Sequence, residues 1–507
     1  MPAHTAQPQR AILQRIAQRA MLERGLLPTF SAAASAELRT MQGPASPNPG
    51  GDAAGIRDLT NLVWASIDND DSRDLDQLTI ARALGGDIVR ISVAVADVDS
   101  LVKAGSAIDA HARHNTTSVY TAAEIFPMLP EQLSTNLTSL NAGEERLAVV
   151  VDMVIGADGV MQSSEIYRAR VRNHAKLAYN SVAAWLDGNG AAPREMTAVA
   201  GLAENLRVQD RVAQGLRERR HIQGALSLET IQAKPLFDGD QLRELAVEKT
   251  NRAKQIIEDF MIAANGVTAR YLAAQQFPSI RRVVRTPKRW DRIVALAREH
   301  HVTLPDAPDS AALDAFLVKE SAADPLRFAD LSLAVIKLLG AGEYVAERPD
   351  DLTAPGHFGL AVKDYAHSTA PNRRYADLIT QRLLKAAMAG QAAPYSFEEQ
   401  DLLAKHFTKA EDAANKVERQ VAKSAAAMLF ESRIGEEFDA LVTGASDKGT
   451  WARLLTIPIE GRVVRGFEGA DVGDQIRVRL MSVDVDRGFI DFARVNVPDH
   501  SRHDPPG

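Results

Sequence analysis

The chain has 507 residues, 45% hydrophobic and 25% charged, which suits an ordinary folded protein of roughly two to four domains. It contains no cysteine, so disulfides, thiolate metal sites and cysteine nucleophiles are excluded. A net charge of −7 does not favour a nucleic-acid partner but does not exclude one, because binding depends on where the arginines stand.

Residues 1–7 lack the basic start and apolar core of a signal peptide. The most apolar stretch, Leu147 to Val151, ends at Asp152, far short of a membrane span; a cytoplasmic protein is expected. Residues 8 to 41 read as helical, with Ile12, Leu13, Ile16, Ala20 and Met21 on one stripe and Ser31 placed to cap a second helix. The first 40 residues carry five arginines and two glutamates. This segment is read either as a small helix-turn-helix or winged-helix element whose arginines touch phosphate or as a plain helical cap. Gly43 to Gly51, rich in Gly and Pro, is a linker. The block that follows begins strand-rich, with Ile88 to Val95 alternating, and turns helical from about Leu202, which suggests an α+β domain. From Glu437, short strands spaced by Gly444, Gly449, Gly461, Gly466 and Gly473 fit a small OB-type β-barrel. The expected organisation is therefore a helical segment with linker over 1–57, an α+β block over 58–430, a barrel over 431–497 and a disordered tail over 498–507.

Ser66-Ile67-Asp68-Asn69-Asp70-Asp71-Ser72-Arg73-Asp74-Leu75-Asp76 places five aspartates within nine residues, directly after the apolar Leu62-Val63-Trp64. Clustered carboxylates repel unless a cation or arginines neutralise them. Asp74 and Asp76 share one face of an extended segment, and Asp68 converges on them if the chain turns through Asn69-Asp70. Oxygen ligands of this kind suit Mg²⁺ or Mn²⁺. A solvated acidic turn is the bland alternative. A calcium EF-hand loop fails, because Arg73 stands where that loop needs Gly and Thr79 where it needs a bidentate Glu.

A second constellation, His367-Ser368-Thr369-Ala370-Pro371-Asn372-Arg373-Arg374-Tyr375-Ala376-Asp377, precedes an amphipathic helix that buries Leu378, Ile379, Leu383 and Leu384. A helix start favours anions, and two adjacent arginines there form a phosphate clamp. The alternative is a surface arginine pair bridging to Asp377. An acidic metal centre with an arginine clamp is what phosphodiester cleavage needs, and a C-terminal barrel adds a surface on which single strands stack.

These two motifs, in this order, resemble the ribonuclease II family of processive 3′-to-5′ exoribonucleases. The resemblance runs from residue 57 to about 495 and includes Arg57-Asp58-Leu59-Thr60, Ile67-Asp68 to Asp76, Pro127-Met128-Leu129-Pro130, Leu133-Ser134, Met261 to Asn265 and His367 to Leu384. It implies an α+β catalytic domain with a channel open only to a single strand, followed by an OB barrel in which Gly444, Gly449-Thr450-Trp451 and Gly473-Asp474 match the turn pattern. By position, the resemblance assigns Asp68, Asp74 and Asp76 to three of the family's four metal-site aspartates. Gln77 stands where the fourth should follow, bringing a carbonyl oxygen but no charge; Asp70 or Asp71 is a candidate substitute. Arg373 matches the arginine on the scissile phosphate, with Arg374 beside it. Tyr120 matches the aromatic that stacks on the 3′-terminal base, and Tyr179 and Glu258 match residues that read the ribose. Glu418 matches a channel glutamate near the catalytic centre, and Leu228 replaces a wedging Phe, so stacking there should be weaker. The family's usual pair of N-terminal cold-shock barrels has no counterpart in residues 1 to 57.

The resemblance thus implies an Mg²⁺-dependent (or Mn²⁺-dependent) enzyme that releases nucleoside 5′-monophosphates from single-stranded RNA. It would also take structured RNA with a 3′ overhang, act as a monomer and touch no membrane. The rival reading is a catalytically silent RNA-binding protein in which Gln77 has ended the chemistry. A single-strand DNA exonuclease is disfavoured by Tyr179 and Glu258.

Overall fold

The computed structural model describes residues 8–46, 55–229, 232–248, 250–325, 327–351, 353–446, 449–457 and 459–495. Residues 1–7, where no signal peptide was expected, much of the linker and the tail lie outside the described residues. Two helices open the chain, α1 (Gln9–Glu23) and α2 (Ala32–Thr40). As expected, Ser31 caps α2, accepting from the Ala34 amide at 3.1 Å. Between them, Gly25 at φ 74° turns the chain in a region that favours glycine.

The α+β block is built on β1 (Arg57–Asp58), β2 (Ala65–Asp68), β3 (Gln77–Gly85), β4 (Ile88–Ala96), α3 (Ala107–Asn115), the short hairpin β5 (Val119–Tyr120) and β6 (Ile125–Phe126), β7 (Glu145–Ile155), β8 (Met161–Arg172) and β9 (Ala175–Ala178). Seven of these form one mixed sheet in the order β1-β8-β7-β4-β3-β2-β9. The β-branched run in β4 alternates as a half-buried strand would. From Ile91 onward, however, every residue of β4 is buried, because packed elements leave neither face to water.

Then come α4 (Tyr179–Leu186), α5 (Arg194–Thr197), α6 (Leu202–Ile222), the hairpin β10 (Gln232–Asp238) and β11 (Gln241–Glu248), α7 (Arg252–Ala274), β12 (Ser279–Val283), α8 (Trp290–Glu299), α9 (Ser310–Ala323), α10 (Phe328–Leu339) and β13 (Glu343–Glu347), which pairs with β12. Ile256, Phe260, Ala264 and Val267 of α7 join Leu378, Ile379, Leu383 and Leu384 of α11 (Tyr375–Met388) in the core shared with the sheet. Helices α8 to α10 hold a separate apolar cluster around Trp290, Phe316 and Phe328.

Helix α12 (Phe397–Phe430) has 34 residues and so runs about 50 Å. It starts at a capping box between Ser396 and Glu399 and leads into the barrel. The barrel is closed, in the order β14 (Glu437–Ser446), β15 (Gly449–Leu454), β16 (Glu460–Arg465), β18 (Phe489–Arg494) and β17 (Gln475–Asp484), with Phe438, Val442, Leu454, Val478 and Phe492 inside.

The N-terminal helices do not form a helix-turn-helix unit, in which they would pack on each other. Leu13, Ile16, Ala17, Ala20 and Met21 of α1 are buried instead against α12 and the β5–β6 hairpin, while α2 packs on α3. The apolar stripe was legible in the sequence, but its partner lies some 400 residues away along the chain. Among the described residues, no helix is long and apolar enough to cross a membrane.

Candidate active site

Asp68 ends β2 and Asp76 immediately precedes β3, so one edge of the sheet holds both ends of the acidic loop. The loop is anchored from below. Ser139 Oγ accepts from the Leu75 amide at 3.0 Å and donates to the Arg73 carbonyl at 2.9 Å. Lys176 Nζ donates to the Ser72 carbonyl at 2.5 Å and the Asp70 carbonyl at 3.2 Å. These contacts leave Asp70 and Asp71 as exposed side chains in the turn.

Across the cleft, the segment before α11 supplies the opposite wall. The helix begins at Tyr375, four residues after Pro371. The Asn372 amide donates to Asp76 Oδ1 at 2.9 Å, and Arg373 Nε lies 3.4 Å from Asp76 Oδ2. The Asn372 side chain is held by Thr138 Oγ1 at 2.6 Å. The Arg373 carbonyl accepts from the Ser118 amide at 2.9 Å and Thr117 Oγ1 at 3.1 Å, tying this turn to the strand that carries Tyr120. Arg373 keeps 40% of its side chain exposed, leaving guanidinium donors for a phosphate.

Arg374 is turned inward. It donates to Asp377 Oδ1 at 2.8 Å, and that oxygen also accepts the Ala370 amide at 2.8 Å. The sequence expectation of two clamping arginines therefore divides: Arg373 faces the cleft, while Arg374 makes the Asp377 bridge, as a buried rather than a surface pair. Asp377 also supplies the negative charge that the first turn of α11 favours.

Tyr120 Oη donates to Asp74 Oδ2 at 2.9 Å, and the Tyr120 amide donates to Glu418 Oε1 of α12 at 2.8 Å. Tyr120 thus joins Asp74 to Glu418, and Arg373 contacts Asp76, while Asp68 stands at the other end of the same acidic loop. Burial pushes Asp68 up to about 6, against the opposing hydrogen bond from Ser66, and pushes Asp76 up to about 7, against the opposing Arg373 charge. Burial also raises Glu418, opposed by the Tyr120 amide.

Asp68 Oδ2, Asp76 Oδ2 and Gln77 Oε1 are buried and have no hydrogen-bond partner. Buried oxygens of this type are normally satisfied, and acceptors at the end of β2 (Asp68), just before β3 (Asp76) and at its first residue (Gln77) are of the kind that suits a hard divalent cation. Among the described residues, no three His, Asp or Glu side chains are gathered as a ready ligand group. Asp74 is held by Tyr120 and Asp76 by Asn372. The donor set therefore fits a divalent ion in chemistry, with Asp74 engaged elsewhere.

The other expected residues make none of these contacts, although Tyr179 directly follows Ala178, the β9 partner of Asp68. Tyr179 starts α4, with Lys254 Nζ 5.9 Å over its ring, and Glu258 on the adjacent α7 is 53% exposed and 3.7 Å from Arg217. Leu228 is half-buried against the apolar cluster of α8 to α10. Trp451 lies on β15 with its ring over Gly444 and Gly449, where the missing Cβ atoms leave room for it. Sequence reasoning missed Asn372, Lys176 and Ser139 as site residues. Asn372 lies in the quoted His367-to-Leu384 motif; Lys176 and Ser139 had no signal, since each only ties down a loop that is distant in sequence.

An RNB domain model matches residues 56–390, and an RNase II-type exonuclease C-terminal S1 domain model matches residues 436–495. Ribonuclease R of Escherichia coli is 29% identical over 479 residues, covering 87% of this chain and 58% of the relative. Exoribonuclease 2 of Escherichia coli is 30% identical over 408 residues, covering 79% of this chain and 61% of the relative. The chain thus spans about six tenths of the length of these curated relatives. RNase R of Mycoplasma genitalium in complex with ribose-methylated single-stranded RNA has a TM-score of 0.84 at 21% identity, covering 96% of this chain and 78% of that one. A yeast pseudonuclease, Ssd1, shares the fold with a TM-score of 0.71 at 16% identity, covering 89% of this chain and 55% of that one. The RNB model accounts for well over half of the residues and the S1 model for the barrel, so the chain belongs to the RNB domain family.

Proposed function

We propose that the chain is an Mg²⁺-dependent 3′-to-5′ exoribonuclease that acts as a monomer and releases nucleoside 5′-monophosphates from single-stranded RNA, including the 3′ overhangs of structured RNA. The observation that carries this reading is that Asp68 and Asp76 each bury a carboxylate oxygen that accepts no hydrogen bond, with the half-exposed Arg373 guanidinium 3.4 Å from Asp76 Oδ2. The named relatives, ribonuclease R and exoribonuclease 2, point the same way.

Asp68, Asp74 and Asp76, with the Gln77 carbonyl oxygen, would hold the ion; when bound, it supplies an activated water and neutralises phosphate charge. Arg373 binds the scissile phosphate and offsets the extra charge of the transition state, where a preorganised cation is most effective. Asn372 and Thr138 hold Arg373 on this side of the cleft. The Tyr120 ring, 40% exposed, offers a face to the terminal base, and Glu418 fixes its backbone. Tyr179 and Glu258 meet the ribose, where a 2′-OH satisfies donors and acceptors that deoxyribose leaves unpaired.

The test is incubation of 5′-labelled oligoadenylate, and of its DNA counterpart, with Mg²⁺ or with EDTA. The expected result is a shrinking RNA ladder and released 5′-monophosphate with Mg²⁺ only, with DNA bound but intact. Binding of RNA without cleavage at any metal concentration would establish the silent reading that Gln77 suggests. Equal turnover of DNA would remove the roles of Tyr179 and Glu258.

A further inference from the structure

On a chain of net charge −7, one cleft is strongly basic. It has a volume of about 630 Å³ and lies where α1, α12 and the β17–β18 turn meet. Six of its lining side chains are cationic (Arg19, Arg24, Lys416, Arg419, Lys423 and Arg487) against Glu23 and Asp486. Phe489 also lines it and is 57% exposed. We infer that this cleft is an RNA exosite, in which the lysines and arginines bind backbone phosphates of a single strand and Phe489 stacks on a base. The inference rests on the exoribonuclease reading and adds a second, separate place where the substrate is held.

Three observations support it. First, the cleft is rigidly built. Helix α1 is fastened to α12 by Ala17, Ala20, Met21, Val417 and Val421, all buried. The barrel turn approaches α12 so closely that a Cβ at Gly488 would lie 2.7 Å from Lys423 Cβ and 2.9 Å from the Ser424 nitrogen. Gly488 also sits at φ 68°, so only glycine lets the turn carrying Arg487 and Phe489 dock there.

Second, the charges are only partly neutralised. Lys416 pairs with Asp412 at 2.6 Å, Arg19 reaches Glu23 and Asp486 at 3.7 Å, Arg24 reaches Glu23 at 4.0 Å and Arg487 reaches Asp484 at 3.8 Å. Arg419 and Lys423 have no carboxylate partner among the described residues. Cations that outnumber the neighbouring carboxylates repel one another, and a polyanion relieves that repulsion while releasing its own counterions.

Third, an exposed aromatic beside the cations gives a stacking face that any base can use, which is how sequence-tolerant single-strand sites are made. An isolated exposed Phe would be unremarkable; its place within a basic cleft is what points to a nucleic acid.

The cleft is not an extension of the active site. At 100° per residue, Lys416, Arg419, Gln420 and Lys423 centre about 150° around α12 from Glu418. Glu418 faces Tyr120 and the acidic loop, so the cleft opens on the outer side of the helix. Only an RNA long enough to leave the active site and continue across the surface reaches both. Short substrates should therefore be indifferent to the cleft, and long ones dependent on it.

The experiment uses the full chain carrying Arg419→Ala, Lys423→Ala and Phe489→Ala together; alanine keeps the Lys423 Cβ against which the turn packs. Binding of fluorescent oligoadenylates of about five and about thirty nucleotides, chosen to fall below and above the span of a single-strand site, is measured by anisotropy in EDTA over a salt series. Turnover of both is measured with Mg²⁺. The variant should bind the long RNA about tenfold or more weakly. Its log-affinity against log-salt slope should be shallower by about 1.4, the release expected from two single-strand phosphate contacts. Affinity and turnover for the short RNA should match the parent, which also reports that the variant is folded. Equal effects on both lengths, or none on either, would overturn the exosite. A parent that cleaves neither RNA would instead overturn the exoribonuclease reading, so the two failures are distinct.

Discussion

The phenol of Tyr120 donates to Asp74 Oδ2 at 2.9 Å, while the same residue's amide donates to Glu418 Oε1 at 2.8 Å. One tyrosine therefore links the acidic loop to the long helix α12 and occupies a carboxylate oxygen that the sequence motif offers to a metal. Burial and the neighbouring Asp74 charge both raise the phenol above its ordinary range, so it stays protonated and remains a donor. Replacing Tyr120 by Phe should release Asp74 and keep the ring. The expected outcome is turnover within about tenfold of the parent at saturating Mg²⁺, with the metal titration shifted to lower concentration. Tyr120→Ala should lose the base contact as well, weakening RNA binding by about 1–3 kcal/mol. A Phe variant with an unmoved metal curve would show that the hydrogen bond does not compete with the ion.

Asp76 is buried and contacts both Asn372 and Arg373, so its charge acts on the chemistry more than on substrate affinity. Asp76→Asn should lower the cleavage rate by about 10³-fold or more, several kcal/mol of transition-state stabilisation, with RNA affinity in EDTA largely kept. Single-turnover kinetics on oligoadenylate check this. A variant within about tenfold of the parent would remove Asp76 from the metal site.

Gln77 leaves the site one charge short of a four-carboxylate loop, so metal affinity should be the property that suffers. Gln77→Asp should shift the Mg²⁺ dependence of cleavage to lower concentration, and the parent should respond better to Mn²⁺ than the variant does. Coincident titration curves would place Gln77 outside the ligand set.

The elevated pKa values of Asp68, about 6, and Asp76, about 7, make a prediction about stability in EDTA. A carboxyl raised in the folded state holds a proton that the unfolded chain has already released, so its contribution is fully present below the unfolded pKa near 3.9 and is lost as pH rises through about 6 to 7. The loop carboxylates should therefore lower the stability of metal-free protein as pH rises from 5.5 to 8, against the opposite trend from His111, His357 and His367, which burial lowers and which favour the folded state at higher pH. Added Mg²⁺ should stabilise more at pH 8, where protons no longer compete. Asp68→Asn with Asp76→Asn should remove the loop's share of this pH dependence, so the melting temperature of the double variant should rise relative to that of the parent between pH 5.5 and pH 8. A remainder is expected from Asp259, which burial raises to about 6 against the opposing charges of Arg220 and Arg217. An unchanged slope in the double variant would show that the loop carboxylates titrate normally.

The sequence by itself determined the elements and the chemistry: the helix cap at Ser31, the strand alternation of the barrel, the acidic loop after β2 and the arginine turn before α11. Each is written in short-range order, through side-chain period, capping residues or charge density, and needs no distant partner to be read. The tertiary structure decided how those parts are used. It divided the adjacent arginines, sending Arg373 to Asp76 and Arg374 to Asp377, because one faces the cleft and the other the core. It turned the apolar stripe of α1 onto α12 instead of α2, gave Asp74 to Tyr120, and gathered cations from three separate segments beside Phe489. Such pairings depend on which surfaces the packed core brings within a few ångströms, and residues that meet only after folding leave no period or spacing by which to find one another.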